Sequence, residues 1–277
     1  MTDGERRERR LAALLDVVRL SEDRFEVAPT RYEGRSNLFG GQVAAQAIRA
    51  AELTVDGDRS AHVLHATFIR SGRMDIPVTL RVVRVRDGRS FSSRQVDAVQ
   101  QGRTILQMLA SFHVPEQGER SGQPMPEAPD PESLRPAAPD RHSDYPVVIR
   151  TVPLGPPSRS GPLESVLRFW ARSDEPWPED TLASAPYLTY LADLRTGTAV
   201  LDDPLGPFPD DLSMASLDHS LWFHDRVSPA EWLLLDLRKV SLGGHRGLVL
   251  ATVHARDGRH VATVTQELMV RPARPVP

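Results

Sequence analysis

The sequence predicts an α+β fold made of two similar halves, each with one helix packed on an antiparallel sheet. Each half contains a helix-prone apolar segment followed by four β-type runs. These runs alternate apolar and polar residues, as strands with one buried face do. A nearly constant shift in residue number relates the two sets of runs, which indicates an internal repeat.

The length and composition of the chain exclude several classes of protein. Its 277 residues suffice for one large or two modest domains with a buried core. A formal net charge of −3 gives no support for nucleic acid or an anionic membrane as a partner. Cysteine is absent, which excludes disulfides, a cysteine nucleophile and thiolate metal sites. No apolar run approaches the roughly 18 residues of a membrane span, so we predict a cytoplasmic protein that binds neither membrane nor nucleic acid.

The first repeat is predicted for residues 1–114. Its leading segment lacks the apolar core of a signal peptide, and Leu11, Leu14, Leu15 and Val18 predict an amphipathic surface helix. The central helix of this half is predicted in LFGGQVAAQAIRAA. The four strands are predicted in HVLHATFIRSG, IPVTLRVVRVRDG, SFSSRQVDAVQQG and TILQMLASFHV.

Prolines separate the two halves. Residues 115–162 contain 12 of the 24 prolines, and proline disfavours both helix and sheet interiors. We therefore predict a linker with little regular structure, followed by a second repeat over residues 163–277. Its helix is predicted in PEDTLASAPYLTYLADLRTG, and its strands in MASLDHSLWFH, EWLLLDLRKVS, GLVLATVHARDG and HVATVTQELMV.

Aligning the two halves reveals one polar residue on an apolar strand face. A shift of 156 residues pairs Gly102 with Gly258, and the same shift pairs Gln266 with Ala110. Because side chains alternate along a strand, Gln266 shares a face with the apolar residues of HVATVTQELMV. A buried amide without a partner costs about 1–3 kcal/mol, so we expect a polar neighbour, either a structural loop or a functional group.

Three further features are ambiguous on their own. Asp193 lies near the C-terminal end of the second predicted helix, where the helix dipole disfavours a carboxylate unless the side chain is exposed. Ser216 opens a predicted strand, where a hydroxyl also satisfies strand-end backbone. The pair Gly40 and Gly41 precedes the first central helix, which suits either a tight turn or close approach of a ligand to the backbone.

Considered together, these segments identify a family resemblance. FGGQVAAQA, HATFIRSG, RDGRSFSSRQVDAVQQGR, ASFHVPE, ASLDHSLWFH and EWLLLDL occur in the order and spacing of type II acyl-CoA thioesterases. The chain closely resembles these double-hotdog enzymes from about Phe39 to Val270, least so in the linker and in RTGTAVLDDPLGPFPDD. The resemblance implies two fused hotdog repeats, each with a central helix wrapped by an antiparallel β-sheet.

The resemblance also implies a site and an activity. In the family an Asp, a Ser or Thr, and a Gln hold a water that hydrolyses an acyl-CoA thioester; the matching residues here are Asp193, Ser216 and Gln266. Asp193 would act as the base, and no covalent nucleophile is needed because a thioester is already activated. The N-terminal turn of a central helix presents N–H groups to the thioester carbonyl, which predicts Gly41, with Gln42, as oxyanion donors.

Other functions find less support in the sequence. No G-x-S-x-G elbow and no H-E-x-x-H spacing occurs, so we predict no metal and no cofactor apart from the CoA of the substrate. We expect His65, His219 and His224 to be structural strand residues. The alternative is a hotdog protein that binds acyl thioesters without hydrolysing them, or that serves one pathway-specific step.

Two apolar or proline-rich stretches carry further expectations. WLLLDL, residues 232–237, predicts a strand buried on both faces or at a subunit contact, in a protein that forms a homodimer or homotetramer. DDPLGPFPDD, residues 202–211, is expected to rim the acyl tunnel, where it would shorten the tunnel or favour a polar acyl group.

Overall fold

The computed structural model of the chain describes residues 10–30, 37–136, 146–155, 164–175, 184–206, 209 and 211–273. Within them the helices are α1 (Leu11–Leu14), α2 (Gly40–Glu52) and α3 (Ser184–Ala192), with single 3-10 turns at Pro131–Ser133 and Thr198–Val200. The strands are β1 (Val18–Ser21), β2 (Arg24–Val27), β3 (Ser60–Phe68), β4 (Val78–Asp87), β5 (Phe91–Gln100), β6 (Arg103–His113), β7 (Val147–Thr151), β8 (Ser165–Ser173), β9 (Leu212–Ser216), β10 (Asp218–Phe223), β11 (Leu233–Gly243), β12 (Arg246–Ala255) and β13 (His260–Pro272).

All of these strands belong to one antiparallel sheet. Its order is β1-β2-β4-β5-β6-β3-β10-β13-β12-β11-β8-β7, with β9 paired to β13 beside β10. The two halves meet at β3 and β10, where Ala66 lies opposite His219. Outward from that junction, the strands of the two halves follow the same chain order. The sheet therefore has the internal repeat that the shift in residue number predicts.

The segment predicted as a linker with little regular structure contains a strand, at Val147–Thr151. These residues form β7, the edge strand of the second half, in the sheet position that β1 occupies in the first. Edge strands tolerate nearby prolines because one side of the backbone needs no partner. The boundary at residues 162 and 163 stays a prediction, and the position of β7 favours an earlier start of the second repeat.

The segment before β7 is held against the outer face of the second half. Its Met125, Ala128 and Leu134 pack on a cluster of four buried residues that comprises Val152, Trp170, Trp232 and Leu234. The indole N–H of Trp170 donates to the Pro129 carbonyl at 3.0 Å. An extended proline-rich segment suits this role because it covers a sheet without competing for its hydrogen bonds.

This covering explains why WLLLDL is buried on both faces, as one of the two predictions for it states. Leu233, Leu235 and Leu237 join the main core, whereas Leu234 lies under the proline-rich segment. Asp236 is fully buried among them, and it accepts from the guanidinium groups of Arg168 at 2.7 Å and Arg238 at 3.1 Å.

The N-terminal helix is shorter than the leucine spacing predicts. α1 is a single turn whose Leu11 and Leu14 are buried, whereas Val18 starts β1 and is 61% exposed. After the helix, the Asp16 carboxylate accepts from the Val17 N–H at 3.0 Å, and the chain continues into β1. The prediction that Val18 belongs to the helix is therefore wrong.

The two long helices pack against each other on the inner face of the sheet. Ten of the residues of α2 are buried, and five of these are alanines, so the helix can approach α3 and the sheet on almost every side. α3 is buried from Ala185 to Ala192. No helix in the described ranges is long and apolar enough to cross a membrane.

Candidate active site

A cavity of about 610 Å³ opens between the two halves. The first half contributes the N-terminal turn of α2, with Phe39 and Gly40, and the end of β3 with the segment after it. The second half contributes Asp193, the following turn to Thr198, and the end of β9 with Ser216. Neither half encloses this cavity alone, so the site depends on the junction between the repeats.

Asp193 directly follows α3 and points to the start of α2. Its side chain is buried, and its Oδ2 accepts from the Gly41 N–H at 2.6 Å. The first amides of a helix have no partner inside the helix, and Phe39 at the N-cap offers no side-chain acceptor. The carboxylate of Asp193 fills that role across the junction. The positive end of the α2 dipole stabilises a charge that the C-terminal end of α3 disfavours.

Only glycine fits at position 41 without movement of its neighbours. A Cβ there would lie 2.7 Å from the Asp193 Cβ and 2.8 Å from the Phe39 ring. The close approach that the glycine pair suggests is therefore an approach of Asp193. This contact differs from the predicted oxyanion role of Gly41, because its single N–H is already donated to the carboxylate.

Gln266 links the other two predicted residues. It lies on β13, is fully buried, and shares the inner face with Val264 and Leu268, as the strand alternation predicts. Its Nε2 donates to Oδ1 of Asp193 at 2.6 Å and to Oγ of Ser216 at 2.8 Å. These two bonds satisfy the NH₂ group of the buried amide. Asp193, Ser216 and Gln266, predicted from separate segments, form one hydrogen-bonded cluster.

Ser216 ends a strand, whereas the sequence predicts that it opens one. It is the last residue of β9, opposite Leu268 on β13, and β10 begins two residues later at Asp218. The interruption between β9 and β10 turns the Ser216 side chain toward the cavity. Since its Oγ accepts from Gln266, its own hydroxyl hydrogen remains for another acceptor.

Burial raises the pKa of Asp193 above the ordinary aspartate value. Four neighbours oppose this shift: His219, the Gln266 amide, the Gly41 N–H and the Thr196 hydroxyl. The carboxyl group is therefore more basic than an exposed aspartate, and hydrogen bonds still favour its ionised form. Such a balance is typical of a general base that works near neutral pH.

Gln42, predicted as an oxyanion donor, and two of the histidines predicted to be structural do not line the cavity. Gln42 is buried on α2 but does not contribute to the cavity lining. His65 and His224 bond to hydroxyls within the sheet, at 3.0 Å from Ser220 Oγ and 2.9 Å from Thr263 Oγ1. These contacts agree with a structural role for both histidines.

Sequence reasoning missed Thr196. Its hydroxyl bonds the Asp193 carbonyl at 3.1 Å and lies 3.4 Å from Asp193 Oδ1, at the cavity wall. A threonine three residues after the aspartate predicted from the resemblance is the available signal, since such spacing allows a local side-chain to backbone bond.

The stretch 202–211 does not rim the cavity in its described part. The wall beside Asp193 is built from Arg195, Thr196, Gly197 and Thr198, and none of residues 202–206, 209 and 211 lines it. The chain turns directly after α3, so the nearer residues occupy the wall. Nor does the described chain hold a group of three or more His, Asp or Glu side chains arranged to bind a metal ion.

Comparisons with known proteins agree with this architecture. The acyl-CoA thioesterase N-terminal domain matches residues 28–113, and the acyl-CoA thioesterase C-terminal domain matches residues 118–270. Acyl-CoA thioesterase 2 of Haemophilus influenzae is 30% identical over 254 residues, which cover 86% of this chain and 89% of that protein.

Solved structures give the same result. The crystal structure of an acyl-CoA thioesterase II from Mycobacterium marinum aligns with a TM-score of 0.82 and 33% identity, over 95% of this chain and 99% of that one. A hot dog fold protein from Alicyclobacillus acidocaldarius aligns with a TM-score of 0.74 and 20% identity, over 99% of this chain and 100% of that one. At this identity the likeness supports the fold only.

The predicted α+β double hotdog is thereby confirmed. Both matched domains fall in the expected order along the chain, one in each half of the sheet. The chain belongs to the acyl-CoA thioesterase family, whose members are thioester hydrolases.

Proposed function

We propose that the chain hydrolyses acyl-CoA to a free carboxylic acid and CoA, with a water held by Asp193, Ser216 and Gln266. The observation that carries this proposal is the bonding of Gln266 Nε2 to both Asp193 and Ser216 at the wall of the cavity. The relatives named above are acyl-CoA thioesterases, which supports the substrate class.

The water would lie between Asp193 and Ser216. Oδ1 of Asp193 is approached by both Gln266 and Thr196, whereas Oδ2 accepts from the Gly41 N–H and has a second lone pair for a hydrogen of the water. The free hydroxyl hydrogen of Ser216 would bond the water oxygen and direct its other lone pair at the thioester. Gln266 would hold both partners of the water without contacting the substrate.

The reaction then follows from these positions. The water oxygen attacks the thioester carbonyl carbon while Asp193 takes a water proton. The resulting tetrahedral intermediate breaks its C–S bond, and Asp193 returns the proton to the departing CoA sulfur. The raised pKa of Asp193 supports both transfers, because a stronger carboxylate base also forms an acid that persists long enough to donate.

The N-terminal turn of α2 would stabilise the oxyanion. Gly40 lines the cavity directly beside Asp193, whereas the Gly41 N–H is donated to that carboxylate and Gln42 is not part of the lining. We therefore assign the oxyanion contact to the Gly40 N–H, in place of the two residues expected from the sequence. The helix terminus favours negative charge at this point.

Release of free thiol from acyl-CoAs of graded chain length tests the proposal. The native protein should release thiol with at least one chain length, and Asp193→Asn should lower kcat by about two orders of magnitude or more. A protein that binds acyl-CoA in titration but releases no thiol at any chain length would instead be a non-hydrolytic binder.

Self-association and a cytoplasmic location complete the proposal. The outer face of the first half carries Val83, Val85, Phe91 and Leu109, each about half exposed and left uncovered by the described proline-rich segment. Such a face supports a homodimer or homotetramer. Sedimentation that detects only a species of 30.7 kDa would contradict self-association, and cell fractionation tests the location.

A further inference from the structure

His219 is the one fully buried histidine that faces the candidate site. It lies on β10 opposite Ala66 of β3, and the neighbouring residue Ser220 lies opposite Thr265 of β13. Because β10 and β13 are antiparallel, the residue before Ser220 lies beside the residue after Thr265, which places His219 next to Gln266. Side chains in such positions have Cβ atoms about 5 Å apart and interact directly.

Three polar atoms in this position lack hydrogen-bond partners among the described residues. They are the two ring nitrogens of His219 and Oε1 of Gln266. Leaving a buried polar atom unpaired costs about 1–3 kcal/mol, and native proteins contain few such atoms. A neutral imidazole has one N–H donor, and an amide oxygen is an acceptor, so a small rotation of either side chain pairs one ring nitrogen of His219 with Oε1 of Gln266.

The orientation of the Gln266 amide determines whether the candidate site is assembled. Nε2 is bonded to Asp193 and Ser216, and the bond to the carboxylate requires the NH₂ group on that side. If the amide turned over, its oxygen would face the carboxylate and the bond to Asp193 would be lost. The Ser216 hydroxyl would then donate to the amide oxygen instead of to the water. A donor on the opposite side, beside Oε1, would prevent that rotation.

We propose that His219 is a positioning residue, whose imidazole N–H donates to Oε1 of Gln266 and thereby keeps Nε2 on Asp193 and Ser216. This inference rests on the proposed function, because it explains how the cluster that holds the water keeps its shape. His219 does not line the cavity, so it acts through Gln266 and does not touch the substrate.

The charge state of His219 agrees with a donor role. Burial lowers the pKa of the imidazole, and Asp193, the Gln266 side chain, the Thr189 carbonyl and Asp218 act in the opposite direction. Of the two carboxylates, Asp193 faces the site, whereas Asp218 accepts from the Glu267 N–H at 2.8 Å. The ring is therefore neutral at pH 7, with one N–H to donate.

His219→Leu should lower kcat by about 10- to 100-fold, because a misplaced water costs rate rather than binding, and KM should change little. A plot of kcat/KM against pH should fall on its acidic side as Asp193 is protonated, and we call this fall the acidic limb. In His219→Leu the acidic limb should move to higher pH. The hydrogen bond from Gln266 holds down the pKa of Asp193, so its loss lets burial raise that pKa further. A purely structural histidine would lower stability without moving this limb.

Two further variants test the donor itself. His219→Asn and His219→Gln each supply an amide N–H, near Nδ1 and Nε2 of the ring respectively. One of them should recover about tenfold or more of the lost rate and return the acidic limb toward its native position. If His219→Leu does not fold, these two variants carry the test, and failure of both to restore the limb overturns the proposal.

His254→Leu is the matched control. His254 is also fully buried, but it lies on β12 and its Nε2 is 3.0 Å from the Gln123 carbonyl oxygen, far along the sheet from the cluster. Its loss should leave kcat and the acidic limb unchanged. A shift of the limb equal to that of His219→Leu would mean that any buried histidine has this effect, and would overturn the proposal.

A double-mutant cycle tests the role of His219 separately from the proposed hydrolytic function. In the Gln266→Ala background, His219→Leu should cause no further loss of kcat, because its target is gone. A loss equal to that in the native background would overturn the inference while leaving the proposed function intact. Native turnover in Gln266→Ala itself would instead refute the proposed function.

Discussion

Replacement of Gly41 by alanine should disable the enzyme while leaving it folded. The new Cβ would lie 2.7 Å from the Asp193 Cβ, and ordinary contact begins at 3.4 Å, so the two must separate by about 0.7 Å. The Phe39 ring would also be too close, at 2.8 Å, so the added Cβ has to displace both neighbours, Asp193 among them. A misplacement near 1 Å costs about 10²-fold in rate, so kcat should fall by about 30- to 100-fold.

The stability of this variant should change less than its activity. Overpacking costs about 1–3 kcal/mol, and alanine returns about 1 kcal/mol through its higher helix propensity. Thermal unfolding measures the change in stability, and thiol release under saturating substrate measures the change in kcat. Gly57→Ala is the control, because a Cβ there meets nothing within 4 Å. A folded Gly41→Ala protein with kcat within about threefold of the native value would refute the packing argument.

Three other predictions follow from the same structure. Ser216→Thr should keep nearly native turnover because the hydroxyl remains, whereas Ser216→Ala should lose most of its turnover. Equal rates for the two variants would exclude the hydroxyl from catalysis. kcat/KM should fall as the pH drops through the raised pKa of Asp193, so an acidic limb at the pH of an exposed aspartate would contradict its burial. Burial also raises the pKa of Glu52 to about 8, whereas the unfolded chain releases this proton near pH 4.5. Between these two pH values the native state binds one more proton than the unfolded state, so the free energy of unfolding falls as the pH rises. Thermal melts of Glu52→Gln should show a gain in Tm over the native protein that grows from pH 5 to pH 9, and a constant difference would contradict this shift.

The repeat and the strand pattern predict much of the fold and one site residue on physical grounds. Gln266 stands out because its counterpart is Ala110, and strand alternation assigns it to the buried face where the structure has it. Both inferences use only local periodicity and a comparison within the chain.

Contacts that join distant segments could not be predicted in this way. Gly41 and Asp193 are 152 residues apart, and their bond exists because the end of α3 meets the start of α2. The sequence indicates a close approach to the glycine pair but does not specify which group approaches. Similarly, the covering of WLLLDL by the proline-rich segment arises from packing, and composition alone suggests a free linker.

The edge elements deviate from sequence patterns for a related reason. Val147–Thr151 pairs along the border of the sheet despite prolines on both sides, and Val18 leaves the helical leucine spacing to start β1. In both cases an available sheet edge decides the conformation. Tertiary pairing of this kind overrides a weak local preference.

The central claim is that Asp193 and Gln266 act as one unit on one water. Single-turnover thiol release by Asp193→Asn, Gln266→Ala and the double variant tests it most directly. Each single variant should be slower by about 10²-fold or more, and the double variant should be no slower than the worse single one within about threefold. Losses that multiply in the double variant, or near-native rates in both single variants, would contradict the account.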